Sequence, residues 1–408
     1  MPTEPENPRP SPGPAATGMG RRRALLAAGA VFAAGIGAAA GELADGSRTP
    51  GRDGATGSAT GGPPPEAAAP FHGARQAGVT APQPVATRLL AFDLPQTTTA
   101  ADRDTLRGLL GALTRTLAAA ATDTPPDPRL QGGTTTRLTS LVGVGPALAT
   151  RLGLDVPARL AELPEFPGDR LDPARGGGDL LLQVSADDPW TPAVLAELAT
   201  AAARSAGAVP RWSQSGFLQR TAPGATPRNL FGFKDGTANP DDEAARQWVW
   251  GPVGPHENGT VLVYRRIRMD TAAFAALPED RRQLAMGRRA GDGAPLTGSA
   301  EHDEPDIYAK NPDGSYVIPA TAHVRLSSPR LDGGARMLRR GYGYDDGPAD
   351  RGLLFCAFMR DPAQFTRVQN RLAARDALNP FLEHTASAVA YVLPGAPVGG
   401  TLGEALWA

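Results

Sequence analysis

A pattern of strands and helices that occurs twice is the feature that most restricts how this chain can fold. From about residue 85, apolar residues recur with a period of two, typical of strands, or of about 3.6, typical of helices. Both halves follow the order strand, helix, strand, strand, helix, strand. The first half predicts strands at 85–94, 137–142, 179–185 and 209–217 and helices at 102–121 and 191–205, with an extra helical turn at 145–152. The second half predicts strands at 261–267, 337–344, 352–359 and 388–393 and helices at 271–289, broken near Pro278, and at 362–377.

This order is the split βαβ, or ferredoxin-like, pattern. Its strands form an antiparallel sheet, and its helices pack against one face of that sheet. A body of about 320 residues is the size expected for two such domains. We therefore predict an α+β fold of two ferredoxin-like (βαββαβ) domains with antiparallel sheets, an N-terminal domain at 81–250 and a C-terminal domain at 251–408.

The segment before the repeat lacks the composition of a folded domain. Three arginines at 21–23 precede an apolar run that ends in three alanines at 38–40, which is typical of a signal peptide. Two of the arginines, a spacer and two leucines resemble the twin-arginine export motif. We predict a twin-arginine signal peptide at 1–40 and a disordered Gly/Pro/Ala linker at 41–80. An uncleaved membrane anchor stays open, because the apolar run of about 17 residues is marginal for a span.

Charge and cysteine content exclude several classes of protein. The formal net charge is −1, whereas nucleic-acid-binding domains normally carry a basic excess. The single cysteine, Cys356, rules out an intramolecular disulfide and a cysteine-based zinc cluster. A secreted protein without disulfides suits the twin-arginine route, which exports proteins already folded around a cofactor.

The segment Gly232–Pro240, GFKDGTANP, is the first candidate for chemistry. Its Asp-Gly and Asn-Pro pairs are turn signals, which by themselves indicate a solvated loop between the domains. Phe231 and Phe233 flank the turn, however, and should bury it in part. A carboxylate in such a place, Asp235, is costly unless it has a partner or a role.

A histidine and a pair of arginines are the next candidates. His323 lies in a short strand-like or buried segment, where a lone histidine is more often structural than a ligand. Arg339 and Arg340 lie in a strand pattern, so they should point to opposite faces, one inward and the other solvated. His384, near the start of the last strand, is the alternative histidine.

These segments together resemble the dye-decolorizing peroxidases, a family of haem enzymes. The run at 232–240 resembles the family's GxxDG motif. AHVRL at 322–326, RRGY at 339–342 and GLLFCAF at 352–358 follow in the order that the family shows. The family fold, two ferredoxin-like domains with haem held between sheet and helices, is similar to the repeat found above. Its twin-arginine-exported branch is similar to the front of the chain.

The resemblance implies a role for each matching residue. Asp235 takes the place of the distal acid–base residue, Arg339 that of the distal arginine and His323 that of the proximal histidine bound to iron. Glu383 takes the place of the carboxylate hydrogen-bonded to that histidine. Leu353 and Phe355 resemble the apolar distal wall, and Arg325 and Asn239 are expected to meet the haem propionates or to order the loop. Also assigned to cofactor binding are Phe233, Gly236 and Thr237.

The function implied is that of a haem peroxidase with one haem b per chain, which reduces hydrogen peroxide through a ferryl intermediate. Its reductants would be dyes, phenolics or other small aromatic donors. Because an ordinary aspartate has a pKa near 3.9 and stays a base in acid, the resemblance also implies an acidic pH optimum. Two alternatives stay open, a haem deferrochelatase that releases iron and a non-enzymatic secreted haem-binding protein. Partners would include the twin-arginine export machinery and no nucleic acid, with a homo-oligomer left open. The location would be secreted or at the cell envelope.

Overall fold

A computed structural model describes residues 69–131, 137–222 and 224–407 of the chain. The predicted signal peptide at 1–40 lies outside these residues. The strands are β1 Ala86–Asp93, β2 Thr139–Val144, β3 Leu180–Ala186, β4 Val209–Phe217, β5 Thr260–Met269, β6 Leu338–Arg339, β7 Tyr342–Asp345, β8 Arg351–Met359 and β9 Leu382–Val392. The helices are α1 Ala77–Thr80, α2 Thr99–Ala120, α3 Pro146–Leu152, α4 Trp190–Ser205, α5 Asp242–Trp248, α6 Thr271–Ala275, α7 Glu279–Met286, α8 His323–Leu326 and α9 Ala363–Arg375.

The two halves have the strand order of the predicted fold. The N-terminal strands lie in the order β2-β3-β1-β4, and the C-terminal strands lie in the order β7-β8-β5-β9. The two strands of every one of these pairs run antiparallel. The α+β class and the ferredoxin-like pattern are therefore confirmed. The strand predicted at 337–344 is interrupted, so that β6 and β7 pair with opposite ends of β8.

One continuous sheet replaces the two predicted sheets. Gly143 of β2 pairs with Val392 of β9, and Phe217 of β4 pairs with Gly343 of β7. Since β5 pairs with both β8 and β9, the strands close into a ring. Each half covers the open edge of the other, because unpaired edge strands leave backbone N–H and C=O groups without partners.

The ring has an aromatic interior and an exterior covered by helices. Tyr264, Tyr342 and Tyr344 are fully buried in the cluster inside it. On the N-terminal half, leucines of α2 and α4 pack against the outer face of the sheet. On the C-terminal half, Phe365 of α9 packs against Val263 of β5. The layer between α9 and this part of the sheet holds a cavity.

The disordered linker predicted at 41–80 extends too far towards the C-terminus. Residues 69–80 belong to the folded body, and Val79 of α1 is buried. The Gln76 side chain donates to the carbonyls of Val142 and Leu393 and accepts from the amide of Val142, each at 2.8 Å. These bonds satisfy backbone groups beside the β2–β9 junction, which fixes the segment. Nowhere in the described ranges is a helix both long and apolar enough to cross a membrane.

Candidate active site

The cavity between the sheet and the helices has a volume of about 450 Å³, within the range of small-molecule sites. Side chains of alternate residues on β5 and β8 form one wall, because successive residues of a strand face opposite sides. Helix α9 forms the facing wall. The apolar lining includes Ile267, Met269, Leu353, Phe355, Phe365, Val368 and Leu372. Asp235, His323 and Arg339 line the same cavity, so the fold brings together residues that are up to about a hundred positions apart.

His323 opens the one-turn helix α8 and does not lie in a strand. Its Nδ1 lies 2.6 Å from Oδ2 of Asp376, a residue that directly follows α9. The side chain of Asp376 is 2 % exposed. The other carboxylate oxygen of Asp376 accepts from the amide of Leu378 at 2.9 Å. With Nδ1 engaged, Nε2 of His323 remains to bind a metal, and the carboxylate fixes the orientation of the ring.

The prediction that Glu383 is the carboxylate partner of His323 is wrong. Glu383 forms salt bridges with Arg268 at 2.9 Å and Arg170 at 3.4 Å, and it does not line the cavity. The sequence does carry a signal for Asp376. An acidic residue at the C-terminal end of a helix is unfavourable in the field of the helix dipole, so its presence there calls for another stabilising partner.

The surroundings of His323 favour its charged form. Burial lowers the pKa of His323, but the adjacent Asp376 carboxylate more than offsets this, and the pKa is raised. Asp235 raises the same pKa further and Arg339 lowers it. The imidazole therefore responds electrostatically to both of the predicted catalytic groups.

Asp235 lies in a half-buried loop that is fixed on both sides. Phe231 and Phe233 are buried as predicted, and Phe231 stacks on Phe274 at 4.1 Å. The Asp235 amide donates to the Pro227 carbonyl at 2.9 Å. Gly236 has a φ of 107°, a conformation that glycine adopts readily and other residues rarely do. The chain can therefore reverse directly after the aspartate.

Asn239 connects this loop to Arg339. Its side-chain amide donates to the Arg339 carbonyl at 2.8 Å, and its side-chain oxygen accepts from the Arg339 amide at 2.9 Å. These two bonds pair Asn239 with the Arg339 backbone as another strand would. Asn239 is therefore a positioning residue that holds the Asp235 loop against β6. Of the two roles expected for Asn239, this is the ordering of the loop.

Arg339 and Arg340 face opposite sides, but Arg340 is not solvated as predicted. It is 6 % exposed, and its guanidinium donates to the carbonyls of Val79 at 3.1 Å and Ala81. The α1 segment therefore covers Arg340, which explains why sequence alternation alone could not place it. Arg339 lines the cavity.

The other predicted cofactor contacts divide into two groups. Thr237, Asn239, Leu353 and Phe355 line the cavity. Phe233 packs in the core against Phe274, and Gly236 lines a smaller neighbouring pocket that also includes Asp235 and Arg339. Arg325 lies away from the cavity lining, because its guanidinium donates to the Ile307 carbonyl and stacks over the Tyr316 ring at 3.8 Å.

Arg288 is a cavity residue that the sequence did not indicate. It is 7 % exposed and donates to the carbonyls of Gly293 at 2.7 Å and Glu301 at 2.8 Å. Burial lowers the pKa of Arg288, and the charge of Arg339 lowers it further. Among the described residues it has no carboxylate within salt-bridge distance. A buried cation of this kind favours an anionic group in the cavity.

Comparison with known proteins gives the same assignment over both halves. Residues 76–218 match the family model for the Dyp-type peroxidase N-terminal domain, and residues 226–397 match that for the C-terminal domain. A dye-decolorizing peroxidase of Thermobifida fusca is 39 % identical over 82 % of this chain and 84 % of its own. A deferrochelatase of Yersinia pseudotuberculosis is 36 % identical over 80 % of this chain and 81 % of its own. The oxyferrous complex of DtpA from Streptomyces lividans has a TM-score of 0.76 at 35 % identity, over 83 % of this chain and 97 % of its own.

Both family models together cover most of the chain, and the fold and the cavity residues agree with them. The chain therefore belongs to the Dyp-type peroxidase family and is an oxidoreductase that acts on hydrogen peroxide.

Proposed function

We propose that this peroxidase binds one haem b in the cavity between the sheet and α9, with His323 as the iron ligand and Asp235 and Arg339 as the groups that act on peroxide. One observation carries this proposal: a histidine fixed by a buried carboxylate shares a single cavity with an aspartate and an arginine that have no side-chain partner of opposite charge in the described ranges. The cofactor itself supplies the iron through which electrons pass from the reductant to hydrogen peroxide.

The residues of the cavity fit haem in three respects. Nε2 of His323 is left for iron, because Nδ1 is held by Asp376. Apolar side chains on both walls suit the faces of a porphyrin. Arg288 supplies a buried positive charge for a propionate, a task that the sequence analysis gave to Arg325. The chemical character of the lining therefore matches a flat, apolar ligand that carries negative groups at its edge.

Asp235 and Arg339 have separate tasks on hydrogen peroxide. The Asp235 carboxylate accepts a proton from one peroxide oxygen and returns it to the departing oxygen. The Arg339 guanidinium stabilises negative charge that develops as the bond between the oxygens breaks. Asn239 keeps the two groups in a fixed relation, since it is bonded to the Arg339 backbone on both sides.

Stoichiometric turnover tests the function directly. We expect the purified protein to show a Soret band and to oxidise two molecules of a one-electron phenolic donor for each hydrogen peroxide consumed. The measurement is the absorbance of the oxidised donor at limiting peroxide, with the His323→Ala variant as the control. Consumption of peroxide without oxidised donor would contradict the proposal.

A second candidate is iron release from haem, which the likeness to the Yersinia deferrochelatase favours. It predicts free porphyrin after incubation with haem in the absence of hydrogen peroxide. Porphyrin fluorescence separates the two functions, because a peroxidase returns its haem intact after each turnover.

We further propose that residues 1–40 direct export by the twin-arginine route, so that the enzyme acts in the cell envelope or outside the cell. The support is the arginine pair at 22–23, followed by a spacer, two leucines and an apolar run. Replacing both arginines with lysine should retain the protein in the cytoplasm, as measured by immunoblot of cell fractions. A variant with lysine at Arg21 alone is the matched control, and unchanged export of the double variant would refute this route.

A further inference from the structure

The smaller pocket that adjoins the proposed haem site has a volume of about 170 Å³. Asp235 and Arg339 line both this pocket and the haem cavity, whereas His323 lines the haem cavity and not the pocket. From these two groups the pocket extends to Phe217 of β4 and to Leu230, which are 43 % and 36 % exposed. It therefore leads from the groups that act on peroxide to the surface of the molecule.

Alternation along the segment that contains β6 and β7 gives this pocket a floor without side chains. Arg339, Gly341 and Gly343 line the pocket, as alternate residues on one face of a strand do. The side chains between them point to the opposite face. Arg340 donates to the carbonyl of Val79, and Tyr342 lies in the cluster inside the ring. Two of the three positions on the pocket face are thus glycines.

Both glycines leave room that a side chain would occupy. A Cβ atom at Gly341 would lie 3.1 Å from Cδ1 of Leu353, and one at Gly343 would lie 3.1 Å from Cε2 of Phe217. The pocket therefore has a bare backbone floor with an apolar group at either end. Cavities of about 150 Å³ with apolar walls bind benzene. A pocket of about 170 Å³ consequently has room for one six-membered ring with a hydroxyl group.

The charges on this pocket favour a neutral ligand. At its inner end the carboxylate of Asp235 is balanced by the guanidinium of Arg339. A third charged residue, Arg228, directs its guanidinium at three backbone carbonyls, those of Gly232, Ala290 and Gly291. The remaining polar side chains of the lining are neutral amides, those of Gln83, Gln219 and Asn229. An anionic ring would have no unengaged cation to pair with except the arginine that acts on peroxide.

We propose that this pocket binds the reductant as one uncharged, single-ring phenol beside the groups that act on peroxide. The ring lies on the backbone of Gly341 and Gly343 between Phe217 and Leu353, and its hydroxyl group points to Asp235. Resting on the proposed function, Asp235 has by then returned the peroxide proton to the departing oxygen, so its carboxylate accepts the phenolic proton while the electron passes to the cofactor. Two phenols each lose one electron and one proton from the O–H bond, and one hydrogen peroxide becomes two waters as its O–O bond breaks.

Calorimetric titration of the holoenzyme with phenol, in the absence of hydrogen peroxide, tests the pocket apart from turnover. We expect phenol to bind with a stoichiometry of one. The two-ring probe 2-naphthol should bind at least about tenfold more weakly, because close-packed walls leave no space for a second ring. The charged probe 4-hydroxybenzenesulfonate should also bind more weakly, because its sulfonate would lose water without gaining an unengaged cation.

Two variants change the pocket without touching the charged groups. Phe217→Ala removes a half-exposed wall and should raise the Kd of phenol several-fold. Gly343→Val fills the space beside Phe217 and should raise this Kd by about tenfold or more. The matched control is Tyr308→Ala, which removes another exposed aromatic ring that lines neither the pocket nor the haem cavity and should leave the Kd unchanged.

The orientation of the hydroxyl group has its own test. Asp235→Ala should raise the Kd of phenol several-fold and leave that of toluene unchanged, because toluene has no hydroxyl proton to donate. Absence of phenol binding, an unchanged Kd in both pocket variants, or equal affinity for phenol and either of the other two probes would overturn the proposal. A protein that binds phenol as expected but fails the stoichiometric turnover test would instead contradict the proposed function and leave this binding site intact.

Discussion

Replacing Asp235 with alanine is expected to lower kcat/KM for hydrogen peroxide by about two to four orders of magnitude while haem stays bound. The reason is that a positioned base removes and returns a proton during cleavage of the oxygen–oxygen bond. Stopped-flow absorbance of the haem after mixing with one equivalent of hydrogen peroxide measures this step before any reductant is involved. Arg339→Ala should slow the same step by about 100- to 1000-fold through loss of charge stabilisation.

Asp303→Asn is the matched control for Asp235. Asp303 is a second acidic residue of the same cavity, but its carboxylate accepts from the amides of Ser299 at 2.7 Å and Ala300 at 2.9 Å. We expect its replacement to leave the reaction with peroxide unchanged. If Asp235→Ala reacts at the wild-type rate, the proton transfer belongs to another group, and Arg339 alone would act on peroxide.

Replacing His323 with alanine is expected to cause the largest loss of haem. This variant would lose the iron ligand itself. Removing a residue that only supports a metal ligand typically weakens binding by roughly 10–100-fold, and we expect a larger loss of haem binding here. The measurement is the ratio of Soret to protein absorbance after dialysis against free haem. His384→Ala is the control, because His384 also lines the cavity.

His384 differs from His323 in its surroundings. Burial and the charge of Arg265 lower the pKa of His384 to about 4, and its nearest carboxylate, Asp169, lies 3.8 Å away and is bonded to Arg265. An unaltered haem spectrum in His323→Ala, together with its loss in His384→Ala, would transfer the ligand role to His384.

A second matched pair of variants tests which carboxylate supports His323. Asp376→Asn should weaken haem binding or activity by about 10–100-fold, and Glu383→Gln should change neither.

The sequence predicted the elements because each carries a local signal. Strand and helix periods located the ferredoxin-like units, and the break of the 271–289 helix at Pro278 is present between α6 and α7. The resemblance assigned Leu353 and Phe355, two apart on one strand, to an apolar wall, and both line the cavity. The motif at 232–240 pointed to Asp235, since its turn signals and flanking phenylalanines are adjacent in the chain. These inferences depend only on neighbours within a few residues.

The residues that sequence reasoning missed depend on contacts between distant segments. Asp376 faces His323 only because α9 ends beside α8, and no spacing rule distinguishes it from Glu383, seven residues on. Arg340 is buried by α1, which comes from a segment whose composition predicted a disordered linker. The single sheet forms because the open edges of the two halves pair with each other. Sequence by itself therefore determined the elements, the α+β class and the likeness to peroxidases, through local periodicity and short motifs. Tertiary structure decided which carboxylate orients the histidine, that Arg340 is buried and that the two halves share one sheet, because burial and pairing across the ring are set by segments far apart in the chain.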